Sequence, residues 1–282
     1  LVLAIGIFCS MAQDHFLSFN KSKYLKWAGA LCAICIGLYL ADSPPIKPGG
    51  GTWLGYGLGT LGFGLILWLM AFGLRKRAYR SNLGSVRGWL SAHVYLGLAL
   101  AVVATLHTGF ELGVNIHSAA YVLTLAVIAS GIWGVILYVR QPALMGNLLN
   151  GQTLQNLGSG LRDIDDQCRK AAQGLSPDIQ RLVKNSSTGR IFASRWQRFS
   201  GKNPDCATQR TVDALAEKNN GASPAQRELY NLQFRRLQQL LRIREFVRSR
   251  TWTEVWLLLH VPLSFGLLAS LVAHVVSVFF YW

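Results

Sequence analysis

Four histidines form two pairs with equal spacing inside apolar segments. His93 and His107 are fourteen residues apart in SAHVYLGLALAVVATLHTGF, and His260 and His274 are fourteen apart in LLLHVPLSFGLLASLVAHVVSV. Fourteen residues is just under four helical turns, so each pair would project from one helix face at two levels about 21 Å apart. Because imidazole is a common metal ligand, two helices with matched pairs could hold two metal centres, one near each side of a membrane.

The segments that must position these histidines are long and apolar. Hydrophobic residues make up 51% of the 282 residues and charged residues only 15%. Since roughly 20 apolar residues cross the hydrocarbon core of a bilayer, five spans are predicted, at residues 25–40, 53–74, 89–110, 119–139 and 255–280. Residues 1–12 are also apolar and predict, with the first span, an N-terminal hairpin. Met11 is internal, which favours a chain that begins inside a longer helix, with a signal peptide as the alternative.

The formal charge of +15 is distributed as in a membrane protein rather than a nucleic-acid-binding protein. Basic residues crowd the connection at 75–87, the link at 111–118 has no Lys or Arg, and basic charge resumes at Arg140. By the positive-inside rule, residues 75–87 and 140–250 are predicted to be cytoplasmic. The expected location is a bacterial inner membrane, with the lipid bilayer as a partner and no nucleic acid.

The predicted fold class is an all-α polytopic membrane protein with a four-helix bundle and a mainly helical polar insertion. The expected parts are an N-terminal hairpin and loop, three helices of the bundle, a basic cytoplasmic insertion and the last ligand helix, at residues 1–52, 53–140, 141–250 and 251–282. The insertion carries most of the 28 Lys and Arg, and short helices are predicted at 153–170 and 211–218. Ser223 and Pro224 are typical of a helix start. No helix breaker lies between Pro224 and Trp252, so this helix should run up to, or directly into, the last span.

The histidine pattern favours haem over the alternatives. Ionisable residues inside a bilayer are costly and usually functional, and imidazole is a common axial ligand of haem iron. If residues 89–110 start in the cytoplasm and 119–139 return there, the two histidine-bearing spans run parallel. The predicted ligand pairs are therefore His93 with His260 and His107 with His274, holding two haem b groups. A structural role or metal transport is the alternative.

Smaller features accompany these ligands. Gly97 lies one turn after His93, where a missing side chain would give a macrocycle room, and Gly109 lies just past His107; close helix packing is the other interpretation of both glycines. At the cytoplasmic ends of the ligand helices, arginines could pair with haem propionates or anchor lipid headgroups: Arg80, Arg87, Arg248 and Arg250. The remaining histidines, His15 and His117, are interpreted as interfacial.

The ligand segments resemble the haem-binding half of the cytochrome b family. RGWLSAHVYLGL and LHTGF are similar to its first ligand helix, and HVPLSFGLLASLVAH, with a proline soon after the first histidine, is similar to its second. The resemblance covers residues 53–139 and 252–280. It implies a four-helix core with two b-type haems, ligated by His93, His107, His260 and His274.

The chain departs from that family in three ways. The Pro-Glu-Trp-Tyr quinol-site motif and the further helical bundle are absent, and the insertion before the last ligand helix is much longer than the family's. No Gly-x-Gly-x-x-Gly follows a strand, so no flavin or nicotinamide domain is expected. Such a chain should work with partner redox subunits, in the membrane or docked at 141–250, rather than as a complete enzyme.

Three functions remain open from sequence. The favoured one is an electron-transfer subunit of a membrane oxidoreductase, passing electrons between a quinone or protein donor and a partner acceptor. The second is a structural or assembly subunit of a membrane complex. The third is a histidine-lined metal transporter, although such proteins often show internal repeats and broken helices at the midplane.

Overall fold

A computed structural model describes residues 16–44, 49–78, 82–149, 154–192, 194–217 and 223–280. Within these ranges the chain is helical and forms no β-strand. A short 3₁₀ helix, Phe16–Ser18, precedes α1 Phe19–Ala41, α2 Trp53–Arg77, α3 Val86–Thr108, α4 Ile116–Leu149, α5 Leu154–Ala171, α6 Pro177–Thr188, α7 Arg195–Ser200, α8 Ala207–Glu217 and α9 Pro224–Phe280. The prediction of an all-helical chain is therefore confirmed for the described part.

Five of these helices are long and apolar enough to cross a membrane, namely α1, α2, α3, α4 and α9. Large apolar side chains on them are open to the surroundings, among them Trp53 at 94%, Leu258 at 75% and Phe279 at 78% exposure. Apolar surface on this scale is unfavourable in water and suits a lipid environment. These properties are those of a membrane protein. The apolar stretch 1–12 of the predicted hairpin and His15 lie outside the described residues.

Local side-chain hydrogen bonds set the helix ends. Thr52 Oγ1 accepts a hydrogen bond from Gly55 N–H (3.0 Å) at the start of α2, and Ser85 Oγ accepts one from Gly88 N–H (3.1 Å) at the start of α3. These contacts satisfy N–H groups that the first helical turn leaves without partners. At Gly109 φ is +59°, a left-handed conformation that glycine adopts readily, so α3 ends at Thr108 with Gly109 as its C-cap.

The chain divides into two compact units. The membrane unit comprises residues 1–135 and 258–282, and the polar unit comprises residues 136–257. Helices α4 and α9 each contribute to both. Residues 140 and 250, where the sequence placed boundaries, lie inside these continuous helices, so no loop marks them.

The core of the membrane unit is built where its helices meet. Cys35, Leu58, Val103 and Leu106 join α1, α2 and α3. A second cluster joins α2, α3 and α9 through Ile66, Leu100 and Leu267, with Leu123 and Val127 of α4 packed against it. Four helices therefore share one apolar layer.

The polar unit has its own core of small helices around the first half of α9. Cys168, Val183, Leu215 and the fully buried Leu229 come from α5, α6, α8 and α9. Helices α5 and α8 correspond to two predicted elements, while α6 and α7, of 12 and 6 residues, were missed because so short a helix offers few turns over which an apolar period can be recognised. Helix α9 is capped reciprocally, because Ser223 Oγ accepts from Gln226 N–H and Gln226 Oε1 accepts from Ser223 N–H. It continues directly into the last apolar segment.

Candidate functional site

The structure places His107 of α3 and His274 of α9 next to each other in the membrane unit. Their ring centroids are 6.0 Å apart, and the ring planes are perpendicular at 86°. With imidazole–metal bonds of about 2.0–2.1 Å on either side of one ion, two ring centres are separated by about 6 Å. The spacing of this pair therefore suits two imidazoles that share one metal ion between them.

The other two histidines, His93 of α3 and His260 of α9, are near enough to interact electrostatically. His93 also contacts Phe72 of α2, with ring centroids 5.1 Å apart. Both pairs consist of one histidine from α3 and one from α9, in the register expected for parallel helices. Their role as metal ligands stays a prediction.

Three of the four imidazoles are oriented by hydrogen bonds through the same ring nitrogen. His93 Nδ1 lies 3.1 Å from Leu69 O, and His107 Nδ1 lies 2.8 Å from Gly55 O. A carbonyl oxygen only accepts, so Nδ1 carries the proton in both rings. His260 Nδ1 lies 2.7 Å from Ser130 Oγ, whose own hydrogen is donated to Val127 O. Nδ1 of His260 is therefore also the donor.

This hydrogen-bond pattern selects one tautomer. A neutral imidazole with its proton on Nδ1 has a lone pair on Nε2, and metal-bound histidines commonly donate their other ring N–H in this way. Within the described residues no hydrogen bond reaches Nε2 of His93, His107 or His274. Nε2 of His93 and Nε2 of His107 are therefore chemically suited to bind a metal ion.

A fifth histidine belongs to the site. His117 lies in the first turn of α4, which begins where Asn115 Oδ1 accepts from Ser118 N–H at 2.8 Å. Its Nδ1 is 2.6 Å from Nδ1 of His274, with the two rings nearly perpendicular. The sequence interpretation of His117 as merely interfacial therefore missed this contact, because spacing along α3 and α9 carries no information about α4.

Gly59 of α2 and Gly50, in the turn before α2, give His107 the room it occupies. A Cβ at Gly59 would lie 2.7 Å from His107 Cε1, and a Cβ at Gly50 would lie 3.4 Å from the same atom. On α4, a Cβ at Gly131 would lie 3.5 Å from His260 Cε1. Sequence reasoning did not identify these positions, although the run of glycines in GYGLGTLGFG was a signal that a side chain approaches the α2 backbone closely.

An apolar layer separates the two histidine pairs. Leu100 lies seven residues from both His93 and His107, and Leu267 lies seven residues from both His260 and His274. The two leucines are 3% and 4% exposed and belong to one cluster. Each pair therefore lies about 10 Å along its helix from a dry central layer.

The remaining predicted site residues are glycines and arginines. No atom lies within 4 Å of a Cβ built at Gly97, so the space beside it is open, while Gly109 ends α3 in the left-handed conformation. Arg87 is exposed in the first turn of α3. Arg250, in the polar unit, donates to Glu254 at 2.9 Å in an exposed ion pair. Arg80 lies outside the described residues, and contacts of these arginines with propionates stay a prediction.

Comparison of the chain with protein-family models, curated proteins and solved structures finds no match. The interpretation of the site therefore rests on its geometry and on the sequence pattern.

Proposed function

We propose that this chain is the b-type di-haem subunit of a membrane oxidoreductase and carries electrons across the bilayer. The observation that supports this most is the His107–His274 pair, whose rings are 6.0 Å apart and perpendicular. The second pair on the same two helices supplies a second centre. Together with the sequence resemblance, the arrangement fits a haem-binding core of the cytochrome b type.

The residues fit haem better than a bare metal ion. Haem iron needs only two protein ligands because the porphyrin supplies the other four, whereas a structural zinc ion takes about four protein ligands. This supports a cytochrome over the alternative, a histidine-lined transporter.

In this proposal each element has a distinct task. His93, His107, His260 and His274 hold the two groups, and the hydrogen bonds from Nδ1 to Leu69 O and Gly55 O keep Nε2 of His93 and His107 available. Haem iron supplies reversible one-electron transfer when bound. The layer of Ile66, Leu100 and Leu267 excludes water between the two levels, while the open space beside Gly97 accommodates a macrocycle edge.

The electron donor is proposed to be a quinone or a protein, and the acceptor a partner subunit. The polar unit presents exposed arginines, including Arg190, Arg242 and Arg248. A basic surface of this kind attracts acidic partners electrostatically. The proposal places this docking face in the cytoplasm, following the charge asymmetry of the short links.

The test is the absorbance of the purified full-length protein, oxidised against dithionite-reduced, with haem quantified per chain. Wild-type protein should bind two b-type haems, and His107→Ala should lose one bis-imidazole signal. The matched control is Thr60→Ala on the exposed surface of α2, where Oγ1 donates to the backbone oxygen of Tyr56 (2.9 Å). Wild-type protein without haem, or full haem content in His107→Ala, overturns the proposal.

A further inference from the structure

The contact between His117 and His274 differs from the hydrogen bonds of the other three histidines. His93 and His107 face backbone carbonyls and His260 faces a serine hydroxyl, whereas His274 faces another imidazole at 2.6 Å. The ring centroids of His117 and His274 are 4.6 Å apart. That separation is too short for an ion between them, since two imidazoles on one metal lie about 6 Å apart.

The proton between these two nitrogens decides whether His274 can bind a metal. Two neutral imidazoles form a hydrogen bond only if one Nδ1 carries a proton and the other carries a lone pair. If His117 donates, the proton of His274 is on Nε2, which then cannot ligate. If His274 donates, its Nε2 lone pair points away from His117 and is available. Metal binding at His274 therefore requires His117 to be the acceptor.

We infer that His117 is a positioning residue that accepts the Nδ1–H of His274 and thereby sets the orientation, tautomer and electron donation of that axial ligand. The inference rests on the proposed function, because it concerns a ligand of the haem held by His107 and His274. An imidazole acceptor withdraws the Nδ1 proton more strongly than a carbonyl does, so it makes His274 the stronger donor. Stronger donation stabilises ferric iron and lowers the midpoint potential of this haem relative to a chain without His117.

Hydrogen bonds at the start of α4 hold His117 in place for this role. Asn115 caps the helix through Ser118 N–H, and Ser118 Oγ accepts from Gly113 N–H at 2.9 Å. Tyr121, one turn after His117, contacts Thr105 of α3 through their hydroxyls at 3.0 Å. The turn that carries His117 is therefore fixed at its start by its own cap and one turn later by α3.

Ser130 provides a matched position at the other pair. It is the corresponding side-chain acceptor, for Nδ1 of His260, and it also lies on α4. Removing either acceptor should change the midpoint potential of one haem and leave that of the other haem unchanged. The two sites thus serve as internal controls for each other in the same protein.

The experiment is a potentiometric titration of the haem-loaded, full-length protein, with low-spin electron paramagnetic resonance spectra of the oxidised state. In His117→Leu, one of the two midpoint potentials should rise and one low-spin signal should shift, with both haems retained. His117→Gln, whose amide oxygen accepts a hydrogen bond more weakly than imidazole, should reverse part of the shift seen in His117→Leu. Ser130→Ala should shift the midpoint potential and the low-spin signal of the other haem only.

The outcomes separate this inference from the proposed function. Wild-type protein without haem refutes the function itself. Two haems in wild type, with potentials and spectra unchanged in His117→Leu, refute the positioning role alone. Loss of one haem in both His117→Leu and His117→Gln also refutes it, because His117 would then be a ligand or a packing residue. If His117→Leu does not insert into the membrane, a shift in His117→Gln equal to that in His117→Ala refutes it as well.

Discussion

The two units of the molecule bury polar side chains in different ways. In the polar unit, one buried network joins polar side chains to one another: Arg236 donates to Asp165 at 2.5 Å and to Thr208, and Ser186 donates to Gln233 at 2.9 Å. In the membrane unit, imidazoles are hydrogen-bonded on one nitrogen while Nε2 of His93, His107 and His274 has no hydrogen bond among the described residues. A closed network stabilises a fold, whereas the proposed haem sites require imidazoles that keep an Nε2 lone pair for a ligand.

The largest expected effect concerns the close approach of α2 to an imidazole. Gly59→Ala introduces a Cβ 2.7 Å from His107 Cε1, so the ring must move out of its position. We expect loss or strong weakening of one bis-imidazole haem with the helical content unchanged, measured by haem per chain and circular dichroism. Gly64→Ala on the same helix is the control, because no atom lies within 4 Å of its Cβ. Equal haem content in the two variants contradicts the site geometry.

In contrast, a change in the buried network around Arg236 should lower the stability of the polar unit. Asp165→Asn leaves the guanidinium of Arg236, only 3% exposed, without its charge partner. Breaking a buried pair in this way costs about 3–5 kcal/mol. Thermal unfolding should show a clear drop in Tm for the polar unit, with haem spectra unchanged. The exposed pair Arg210–Asp205 gives the control, since Asp205→Asn should cost about 0–1 kcal/mol; similar losses in both variants would reject the distinction.

The smallest expected effect is a difference in pH response between two cysteines of the polar unit. Burial raises the pKa of the Cys168 thiol to about 11, and the Asp165 carboxylate adds to this. Burial alone would also raise the pKa of Cys206, but hydrogen bonds from the backbone N–H groups of Gln209 and Thr208 and from Arg244 outweigh it and lower the pKa. The Arg244 contact, Nη2 to Sγ, is 3.2 Å.

These opposite shifts have opposite consequences for stability. Because its pKa is lowered by folding, Cys206 stabilises the fold above its unfolded pKa, and this contribution is lost as pH falls through the folded pKa. Cys168 stabilises below its unfolded pKa, and its contribution is lost as pH rises through about 11. Alkylation followed by peptide mass spectrometry should show Cys206 reacting at lower pH than Cys168, and Arg244→Gln should shift the Cys206 profile upward. An unshifted profile would show that Arg244 does not stabilise the thiolate.

The sequence allowed most of the membrane unit to be predicted. Five spans and the register of the four histidines follow from hydropathy and from equal spacing on two helices, since both depend only on local periodicity. The continuity of α9 followed from the absence of a breaker between Pro224 and Trp252.

The remaining contacts depend on tertiary structure. His117 and Ser130 lie on α4, and no spacing rule connects them with His274 or His260. Gly59 contacts His107 only because α2 packs beside the end of α3. The ion pair of Arg236 with Asp165 joins residues 71 positions apart, and charge composition alone cannot identify which of many arginines is buried.

The pairing of the four imidazoles is tested most directly by counting bis-imidazole haems in double variants of the purified protein. Wild-type protein should contain two per chain. His107→Ala with His274→Ala should retain one, because both changes affect the same centre, whereas His93→Ala with His107→Ala should retain none. One remaining haem in the second variant, or none in the first, would contradict the pairing across α3 and α9.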